Sequence, residues 1–593
     1  MKFLFATLTA ILLTTAASTA ELPEGYWPVE RSQPILDATL GVSLQPDLGD
    51  LSAAESLALA ELLEAGRIIQ SLYEDQLHAQ ASEAFAALMQ LHLDTGEGAA
   101  TQNLLDLWYQ SNGPIVTTLD NERLPFVPAA AADPGKTVYP AGLARAEIDG
   151  FLASHGTAAK PLLATRTIVR RAIAEYIATD LQRLDEYPEI DVLHDGLRQS
   201  LESLQADPAV LYAVPYALAY APQLRKARRH LNTAAEIVAD ESPDFAAYLR
   251  NRGRDLLSGD YESGDASWVS GNFDGLNAQI GSYETYNDNL LGVKAFFGAS
   301  ILARDVAKSR ALAAAMNEMQ AIENSLPYDH QKDLRSDIPV GVYNVIADFG
   351  QARGANTATI LPNNADHTRK YGRTILIRYN ILTNPDMSAS RKTRYDAVID
   401  TAFRDHLTMD GGFERTLWHE VGHYLGVSKA ADGRSLDEAL ADYSDLFEEL
   451  KSDLVSLFSA PSLHSVGYHD DGALRAHYAD GIRRTLQSVK PRPDQPYQNM
   501  QLIQFNFYLE NGLLAADPES GRLTIDYDRY HEVVTQLLRR VLQVQYAGDY
   551  DLAMEFVERW NYWDDILHGR LAERMQDSGS FRRTAVRYGA LSN

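Results

Sequence analysis

The stretch DGGFERTLWHEVGHYLG, residues 410–426, is where the fold and the chemistry of this chain first become readable. At its centre stand His419 and His423, four residues apart. In a helix this spacing projects both imidazoles from the same side, where they can share one cation. Glu420 follows the first histidine, close enough to hold a water on such a cation without ligating it. The stretch therefore predicts a metal centre on a helix.

The residues around the two histidines also favour a helix. Asp410-Gly411-Gly412 suits a helix start, and Gly426 suits a stop directly after Leu425. Such a helix has an apolar stripe that docks on a core and leaves the histidine side facing away from it. The stripe repeats every four residues at Phe413, Leu417, Val421 and Leu425.

A second helix is predicted over residues 436–458, because apolar residues recur along it with helical spacing. Within it lies EELKSD, residues 448–453, in which Glu449 and Asp453 share one side and Glu448 is adjacent. One carboxylate of this group would complete a site of two histidines and one acid. The alternative is an acidic, solvated stripe on an acidic protein. We favour the ligand interpretation because the group follows the second histidine by 26 residues, on the next long helix.

Two histidines, one carboxylate and a fourth position left to water are the ligands of a catalytic rather than a structural zinc. Zinc lowers the pKa of a bound water from about 15.7 to about 7 and polarises a carbonyl group. Glu420 would then take a proton from the metal-activated water as general base and pass it to the leaving amine. Glu448 and Asp453 are candidates to hold the outer N–H groups of the imidazoles. We expect one zinc ion per chain, although cobalt or manganese can occupy similar sites.

Composition excludes several other kinds of site. The chain of 593 residues has no cysteine, which excludes disulfides, cysteine nucleophiles and thiolate metal sites. Lys and Arg number 53 against 81 Asp and Glu, a formal net charge of −28. Because so acidic a surface repels phosphate backbones, we expect no nucleic-acid partner.

Residues 1–20 have the three parts of a secretory signal peptide: Lys2, an apolar run to about Ala17, and the small residues Ser18-Thr19-Ala20. We expect cleavage after Ala20 and export to the periplasm or beyond, with no membrane attachment afterwards. An uncleaved anchor is the alternative. It is disfavoured because the apolar run is short and no basic stop-transfer cluster follows it.

The remaining pattern predicts a mainly α protein with a smaller β component, an α+β fold. No linker is evident, so residues 21–593 are expected to form one unit with zinc-site helices at about 413–458. Strands are predicted where β-branched and aromatic residues concentrate, and an irregular stretch where Pro and Gly concentrate. The predicted segments are helices at about 51–93, 146–257 and 392–575, strands at 340–347 and 374–382, and an irregular stretch at 110–145.

HEVGH at 419–423 and EELKSD at 448–453 resemble the two zinc motifs, HExxGH and EECRAE, of the dipeptidyl-peptidase III family of zinc metallopeptidases. The usual family motif has one more residue between its histidines. The chain is thus similar to that family as a divergent, exported, bacterial member. The resemblance implies His419, His423 and Glu449 as metal ligands and Glu420 as catalytic acid and base. It also implies that Glu448 and Asp453 support the ligands from behind.

Weaker likenesses extend over most of the mature chain. Tyr283-Glu284-Thr285-Tyr286 resembles a family segment in which the Glu binds the free amino group of the substrate and the Tyr steadies the substrate or the oxyanion. Leu361-Pro362-Asn363 resembles a segment whose Asn contacts the peptide backbone. The resemblance implies Glu284, Tyr286 and Asn363 as substrate-binding residues. It also implies two lobes separated by a wide cleft, with the metal on the helical lobe and a small β-barrel, including about 340–390, in the other.

Two departures from the family bear on specificity. Phe297 stands where the family has a second glutamate for the amino terminus. A family histidine that stabilises the transition state has no clear counterpart near residues 497–501, and His477 is the candidate to replace it.

The leading hypothesis is a zinc metallopeptidase of the dipeptidyl-peptidase or aminopeptidase type, which releases dipeptides from the amino end of oligopeptides. We expect a monomer, with other oligomeric states left open. One alternative is a zinc hydrolase of other specificity, either an endopeptidase or an enzyme for non-peptide amides. The other is an exported peptide-binding protein with little catalysis, against which the positioned Glu420 argues.

Overall fold

The computed structural model describes residues 22–334, 339–354, 356–492 and 495–591. The predicted signal peptide, residues 1–20, lies outside this described part. The helices of the first half of the chain are α1 (Val29–Asp37), α2 (Ala53–Leu77), α3 (Ala81–Asp94), α4 (Ala99–Ser111), α5 (Arg145–His155), α6 (Ala174–Glu186), α7 (Pro188–Leu193), α8 (Leu197–Glu202), α9 (Tyr216–Ala219), α10 (Ala221–Val238), α11 (Pro243–Ser258) and α12 (Glu262–Ser270). Those of the second half are α13 (Val306–Ala315), α14 (Met319–Ser325), α15 (Ala365–Tyr371), α16 (Tyr379–Leu382), α17 (Pro385–Val398), α18 (Met409–Gly422), α19 (Leu436–Leu440), α20 (Ser444–Ser465), α21 (Asp471–Thr485), α22 (Pro496–Glu510), α23 (Tyr530–Ala547), α24 (Tyr550–Trp560) and α25 (Arg570–Asp577).

The strands are fewer and mostly short, as the α+β prediction requires. They are β1 (Thr39–Leu44), β2 (Ile115–Thr117), β3 (Arg123–Pro125), β4 (Thr167–Ala172), β5 (Asp207–Pro215), β6 (Leu276–Ser282), β7 (Phe297–Asp305), β8 (Val340–Gly350), β9 (Ala358–Leu361), β10 (Thr374–Arg378), β11 (Leu514–Ala516), β12 (Leu523–Ile525) and β13 (Arg583–Tyr588).

The chain divides into two compact units. The first, unit 1, contains the described residues up to Leu36 together with His78–Ala132. It has its own core, in which the ring of Phe126 lies 6.4 Å from that of Trp27 and 6.2 Å from that of Trp108. The rest of the chain, Asp37–Leu77 and the residues from Asp133 onwards, forms unit 2 and carries every predicted site residue.

The main sheet of unit 2 has the strand order β6-β7-β8-β10-β9. The two strands predicted from sequence, β8 and β10, are neighbours in it and pair in parallel, with Ile375 opposite Val340. Strand β10 ends at Arg378, and the chain turns at once into α16, so the prediction of a strand to residue 382 is too long. Among the described residues the pairings run in open order, and a closed barrel is not among them.

Strands β4 and β5 form an antiparallel pair inside the region predicted to be helical. The prediction is wrong there because the apolar residues between the prolines are compatible with either period. Pairing with a distant segment, not local spacing, selected the extended form. Strands β6 and β7 lie between the predicted segments, where no element was predicted.

Unit 2 contains two hydrophobic cores. One surrounds the main sheet and includes buried residues of α2, α10 and α11. The other is built by α18 and the long helices that follow it, and buries Leu417, Val421 and Leu425 of the predicted stripe together with Leu450 and Leu454 of α20. The two histidines therefore lie on the helical part of the unit.

The histidine helix is shorter at its end than predicted. Thr408 caps its start by accepting a hydrogen bond from Gly411 N–H at 3.2 Å. The regular helix ends at Gly422, not beside Gly426. Nζ of buried Lys451 donates hydrogen bonds to the carbonyl oxygens of Gly422 and Leu425 at 2.9 and 3.0 Å, which replace the bonds of a further helical turn. His423 is thus the first residue beyond the helix.

The following helix is not continuous from Leu436. Ser435 and Glu438 form a capping box that begins the short α19, and Ala441 adopts a positive φ of 50° that ends it. The long helix α20 starts only at Ser444. No glycine or proline marks this break, which is why the sequence predicted one helix.

None of the described helices is both long enough and apolar enough to cross a membrane.

Candidate metal centre

The site is made possible by the close approach of α18 to α20. A Cβ atom placed on Gly422 would lie only 2.7 Å from the carbonyl oxygen of Ser452 and 2.9 Å from its Cα. Only glycine allows the two backbones to come so near. This contact sets the histidines of one helix against the carboxylates of the other.

Three potential ligand atoms converge there. One ligand atom from each of His419, His423 and Glu449 lies within 4.8 Å of the other two. Oε2 of Glu449 lies 3.2 Å from Nε2 of His419 and 4.0 Å from Nε2 of His423. This oxygen is buried, and no described residue gives it a hydrogen bond of good geometry. Two imidazole nitrogens and one such oxygen fit a zinc ion.

The outer nitrogens of both imidazoles face carboxylates. Nδ1 of His419 lies 2.7 Å from Oδ1 of Asp453, and Nδ1 of His423 lies 2.8 Å from Oε1 of Glu448. A carboxylate at Nδ1 keeps a proton on that nitrogen and leaves the lone pair of Nε2 free to bind a metal. The structure thus brings Glu448 and Asp453 to the side of the rings opposite Glu449.

Electrostatics follow from this arrangement. Burial lowers the pKa of His419, but Asp453 and Glu449 outweigh it and raise that pKa to about 10. Although burial opposes it, the positive charges of His419 and Arg415 hold the pKa of Asp453 far below its usual range. Burial raises the pKa of Glu420 above its ordinary value, partly offset by the two histidines. A carboxylate with a raised pKa is a better proton acceptor.

Three residues that sequence reasoning missed hold these carboxylates. Arg415 donates to Oδ1 of Asp453 at 2.8 Å, and Lys451 donates to Oε1 of Glu448 at 2.8 Å. The hydroxyl of Tyr497, on α22, donates to Oε1 of Glu449 at 2.9 Å. Arg415 stands one turn before His419, a spacing that could have identified it. Tyr497 comes from a third helix, and no local pattern connects it to the motifs.

The site opens into a cavity of about 1160 Å³. Its wall includes the three predicted metal ligands, Glu420 and Glu448 on the helical side, and the three predicted substrate-binding residues Glu284, Tyr286 and Asn363.

Glu284 and its neighbours give this cavity an acidic region. Burial, with smaller contributions from the charges of Glu449 and Asp445, raises the pKa of Glu284 to about 7, while hydrogen bonds from Tyr286 and Asn363 oppose the rise. Asn363 also donates to the carbonyl of Tyr283 at 2.9 Å. Tyr286 is 57% exposed and available to a ligand.

The two departures noted in the sequence are resolved differently. Phe297 is buried and packs against the rings of Tyr216 and Tyr220 at 5.5 and 5.9 Å, so this position serves the core. His477 is fully buried, with Nε2 3.0 Å from Oγ of Ser456, and is not among the residues that line the cavity. The suggestion that His477 stabilises a transition state is therefore wrong.

Comparisons with known proteins identify the fold. No family model matches the chain. Its TM-score is 0.78 with DPP III from Caldithrix abyssi, at 21% identity, covering 94% of this chain and 99% of that one. The TM-score is also 0.78 with dipeptidyl-peptidase III from Corallococcus sp. strain EGB, at 22% identity, covering 95% and 98%. The chain therefore has the dipeptidyl-peptidase III fold, as the two motifs predicted.

One curated relative matches as well. The chain is 24% identical over 373 residues to Nudix hydrolase 3 of Arabidopsis thaliana. This match covers 62% of the chain, which spans about half (48%) of the length of that relative.

Proposed function

We propose that this protein is a zinc-dependent peptidase that releases dipeptides from the amino end of oligopeptides. The observation that carries the proposal is the convergence of Nε2 of His419, Nε2 of His423 and Oε2 of Glu449, with a carboxylate behind each imidazole. The fold, shared with two dipeptidyl-peptidase III structures, supports the same assignment.

In this proposal His419, His423 and Glu449 hold one zinc ion. When bound, the ion supplies Lewis-acid activation of water and of the peptide carbonyl. Glu420 lies beside the ligands in the cavity wall and accepts a proton from the attacking water on its carboxylate. It then delivers that proton to the nitrogen of the leaving amine, which completes hydrolysis without a covalent intermediate on the protein.

The acidic region selects the amino end of the peptide. Glu284 receives the substrate ammonium group, because the ion pair formed there offsets the burial of its carboxylate. Asn363 and Tyr286 hold the adjacent peptide backbone. Cleavage two residues from that ammonium group follows if Glu284 and the metal hold the two ends of a dipeptide.

Glu420→Gln tests the mechanism. We expect kcat to fall by about 10²–10⁴-fold, because the amide cannot accept the proton, while the protein still binds one zinc ion. Metal content by mass spectrometry and hydrolysis of a dipeptide-naphthylamide give the two readouts. Full activity in this variant would remove the proposed role of Glu420.

Acetylation of the substrate amino terminus tests the specificity. A dipeptidyl peptidase should stop cleaving acetylated peptides, whereas an endopeptidase should not. Fragment lengths from a mixed peptide library, read by mass spectrometry, show the register directly. Cleavage of blocked peptides would favour the alternative of a zinc hydrolase with other specificity.

We also propose that the protein acts after export, since residues 1–20 have the pattern of a signal peptide. The amino-terminal sequence of the protein isolated from its native cells tests this. A mature terminus at Glu21 is expected, and a retained Met1 would contradict it.

A further inference from the structure

Four arginines form a basic region in the wall of the same cavity. Arg391 and Arg394 stand three residues apart on α17 and so share one side of that helix. Arg483 and Arg484 lie in the last turn of α21. All four side chains line the cavity, and we call them the arginine wall.

Within the described residues, most of the arginine wall makes no direct ion pair. Arg483 pairs with Asp480, whose other oxygen already accepts from Arg415 at 2.8 Å. No described carboxylate lies within ion-pair distance of Arg391, Arg394 or Arg484. Nε of Arg484 is buried and has no hydrogen-bond partner there.

Leaving these guanidinium groups unpaired is unfavourable. Burial together with the positive charges of Arg483, Arg394 and Arg484 lowers the pKa of Arg391 to about 10, although the charge of Asp480 opposes it. Burial and the positive charges of Arg415 and Arg483 lower the pKa of Arg484, against the opposing charges of Asp453 and Asp480. The nearest carboxylates, Asp453 and Asp480, act on these guanidinium groups from a distance and are themselves bonded to Arg415. Unpaired donors that face a cavity are the usual feature of a site for an anion.

The cavity wall therefore contains regions of opposite charge. The acidic region contains Glu284 together with Asp445 and Glu449, whose negative charges are near enough to raise the pKa of Glu284. Arg484, by contrast, interacts with Arg415 and Asp453, which lie behind His419. The acidic region and the arginine wall thus both border the metal ligands, and a peptide has charges of the same two kinds at its ends.

We propose that the arginine wall binds a carboxylate of the peptide on the carboxyl side of the cleaved bond. The proposal rests on the proposed function and extends it from the amino end of the substrate to its other end. A carboxylate fits because guanidinium groups bind it with two parallel hydrogen bonds. This carboxylate can be the carboxyl terminus of a short peptide or an Asp or Glu side chain near the cut.

Binding can be measured without hydrolysis in the Glu420→Gln variant, loaded with zinc, by calorimetry. The probes are a tetrapeptide of small residues with a free carboxyl terminus, the same peptide as its amide, and an amide carrying Glu at the third position. We expect the free acid to bind about 10–100-fold more tightly than the plain amide. Tight binding of the acid alone identifies the terminus as the ligand, and recovery of affinity by the Glu-containing amide identifies the side chain.

Single variants locate the effect. In Arg391→Gln, Arg394→Gln and Arg484→Gln, the preference for acid over amide should fall by about tenfold or more, while amide affinity stays the same. Arg373→Gln is the matched control, since Arg373 lines the same cavity but lies outside the arginine wall. Two of the variants lie on α17 and one on α21, so a folding defect in one of them leaves the others as tests.

Several outcomes overturn the proposal. The proposal is overturned if the Glu420→Gln protein binds the free acid and the amide equally tightly. It is also overturned if Arg373→Gln loses the preference for the acid as much as the arginine-wall variants do. Equal binding of both peptides, with arginine-dependent binding of inorganic pyrophosphate, would assign the arginine wall to phosphates instead. Failure of the proposed function gives a different result. If the Glu420→Gln protein still prefers the free acid to the amide but the wild-type protein hydrolyses no peptide, the proposed function alone is overturned. Absence of binding by every peptide overturns both.

Discussion

At the scale of single residues, the three carboxylates of EELKSD differ in their partners. Lys451 pairs with Glu448, and Arg415 pairs with Asp453, so each of these acids is already balanced by a buried cation. Glu449 has only the hydroxyl of Tyr497 on one oxygen, and no described Lys or Arg pairs with it. Its negative charge is therefore available to a metal ion, as the proposed zinc site requires.

Asp453→Asn tests the support behind His419. We expect zinc affinity to fall by about 10–100-fold, because the amide no longer holds the proton on Nδ1 and no longer orients the ring. Competition with a chromogenic chelator measures the affinity. Asp432→Asn is the control and should leave the affinity unchanged, because Asp432 is half-exposed and pairs with Arg434, away from the ligands. Unaltered zinc binding in Asp453→Asn would contradict the role.

The raised pKa of Glu414 should make the stability of the protein depend on pH. Burial raises its pKa to about 7, against the hydrogen bonds of Tyr468 and Trp418. A carboxyl group whose pKa is higher in the folded than in the unfolded state stabilises the folded protein fully at pH values below its unfolded pKa. That contribution to the free energy of unfolding is lost as the pH rises through the folded pKa of about 7. Glu414→Gln should therefore have a Tm about 2 °C above that of wild type at pH 8.5 and near it at pH 4.5. A difference in Tm that does not change with pH would contradict this.

At the scale of elements, the site depends on the separation between α18 and α20. Gly422 permits it, and a comparable close contact lies near the start of α18, where Gly411 faces the backbone of Ala476 on α21. The two glycines of α18 thus allow this helix to pack closely against both α20 and α21. At the end of α18, Lys451 donates hydrogen bonds to two carbonyl groups that lie beyond the regular helix bonding.

Gly422→Ala should push the two helices apart, because the new Cβ meets the backbone of Ser452, which cannot rotate away. We expect a loss of about 2 kcal/mol or more in stability, together with weaker zinc binding. Denaturant unfolding and chelator competition measure the two effects. Gly150→Ala on exposed α5, where a Cβ meets nothing within 4 Å, is the matched control and should be neutral or slightly stabilising. Normal zinc binding in Gly422→Ala would show that the contact does not set the site.

At the scale of the whole molecule, the two units differ in what they contribute. Unit 1 has a separate aromatic core and carries none of the predicted site residues, whereas unit 2 carries the three predicted ligands and the cavity. A ligand that binds only the folded state stabilises the unit that contains its site.

Removal of zinc should therefore lower the unfolding temperature of unit 2 and leave that of unit 1 unchanged. Zinc at about 1,000 times its Kd contributes about 4 kcal/mol to the folded form. Calorimetry with and without a chelator measures the shift, and added zinc should reverse it. Equal shifts of all transitions, or none, would contradict a single metal centre in unit 2.

The sequence by itself determined the class of the fold, and it predicted which residues form the candidate metal centre. The spacing of His419 and His423, the adjacent Glu420 and the acidic group on the following helix are local patterns, and each has a direct physical meaning. The predominance of helices and the two strands β8 and β10 were also predicted from the sequence. Tertiary structure alone decided the break at Ala441 and the strands β4 to β7, because distant pairing overrides local preference there. It also decided which acid lies beside the two Nε2 atoms, since that depends on partners such as Tyr497 and Arg415 and on the helix contact at Gly422. No local pattern encodes the register between two packed helices.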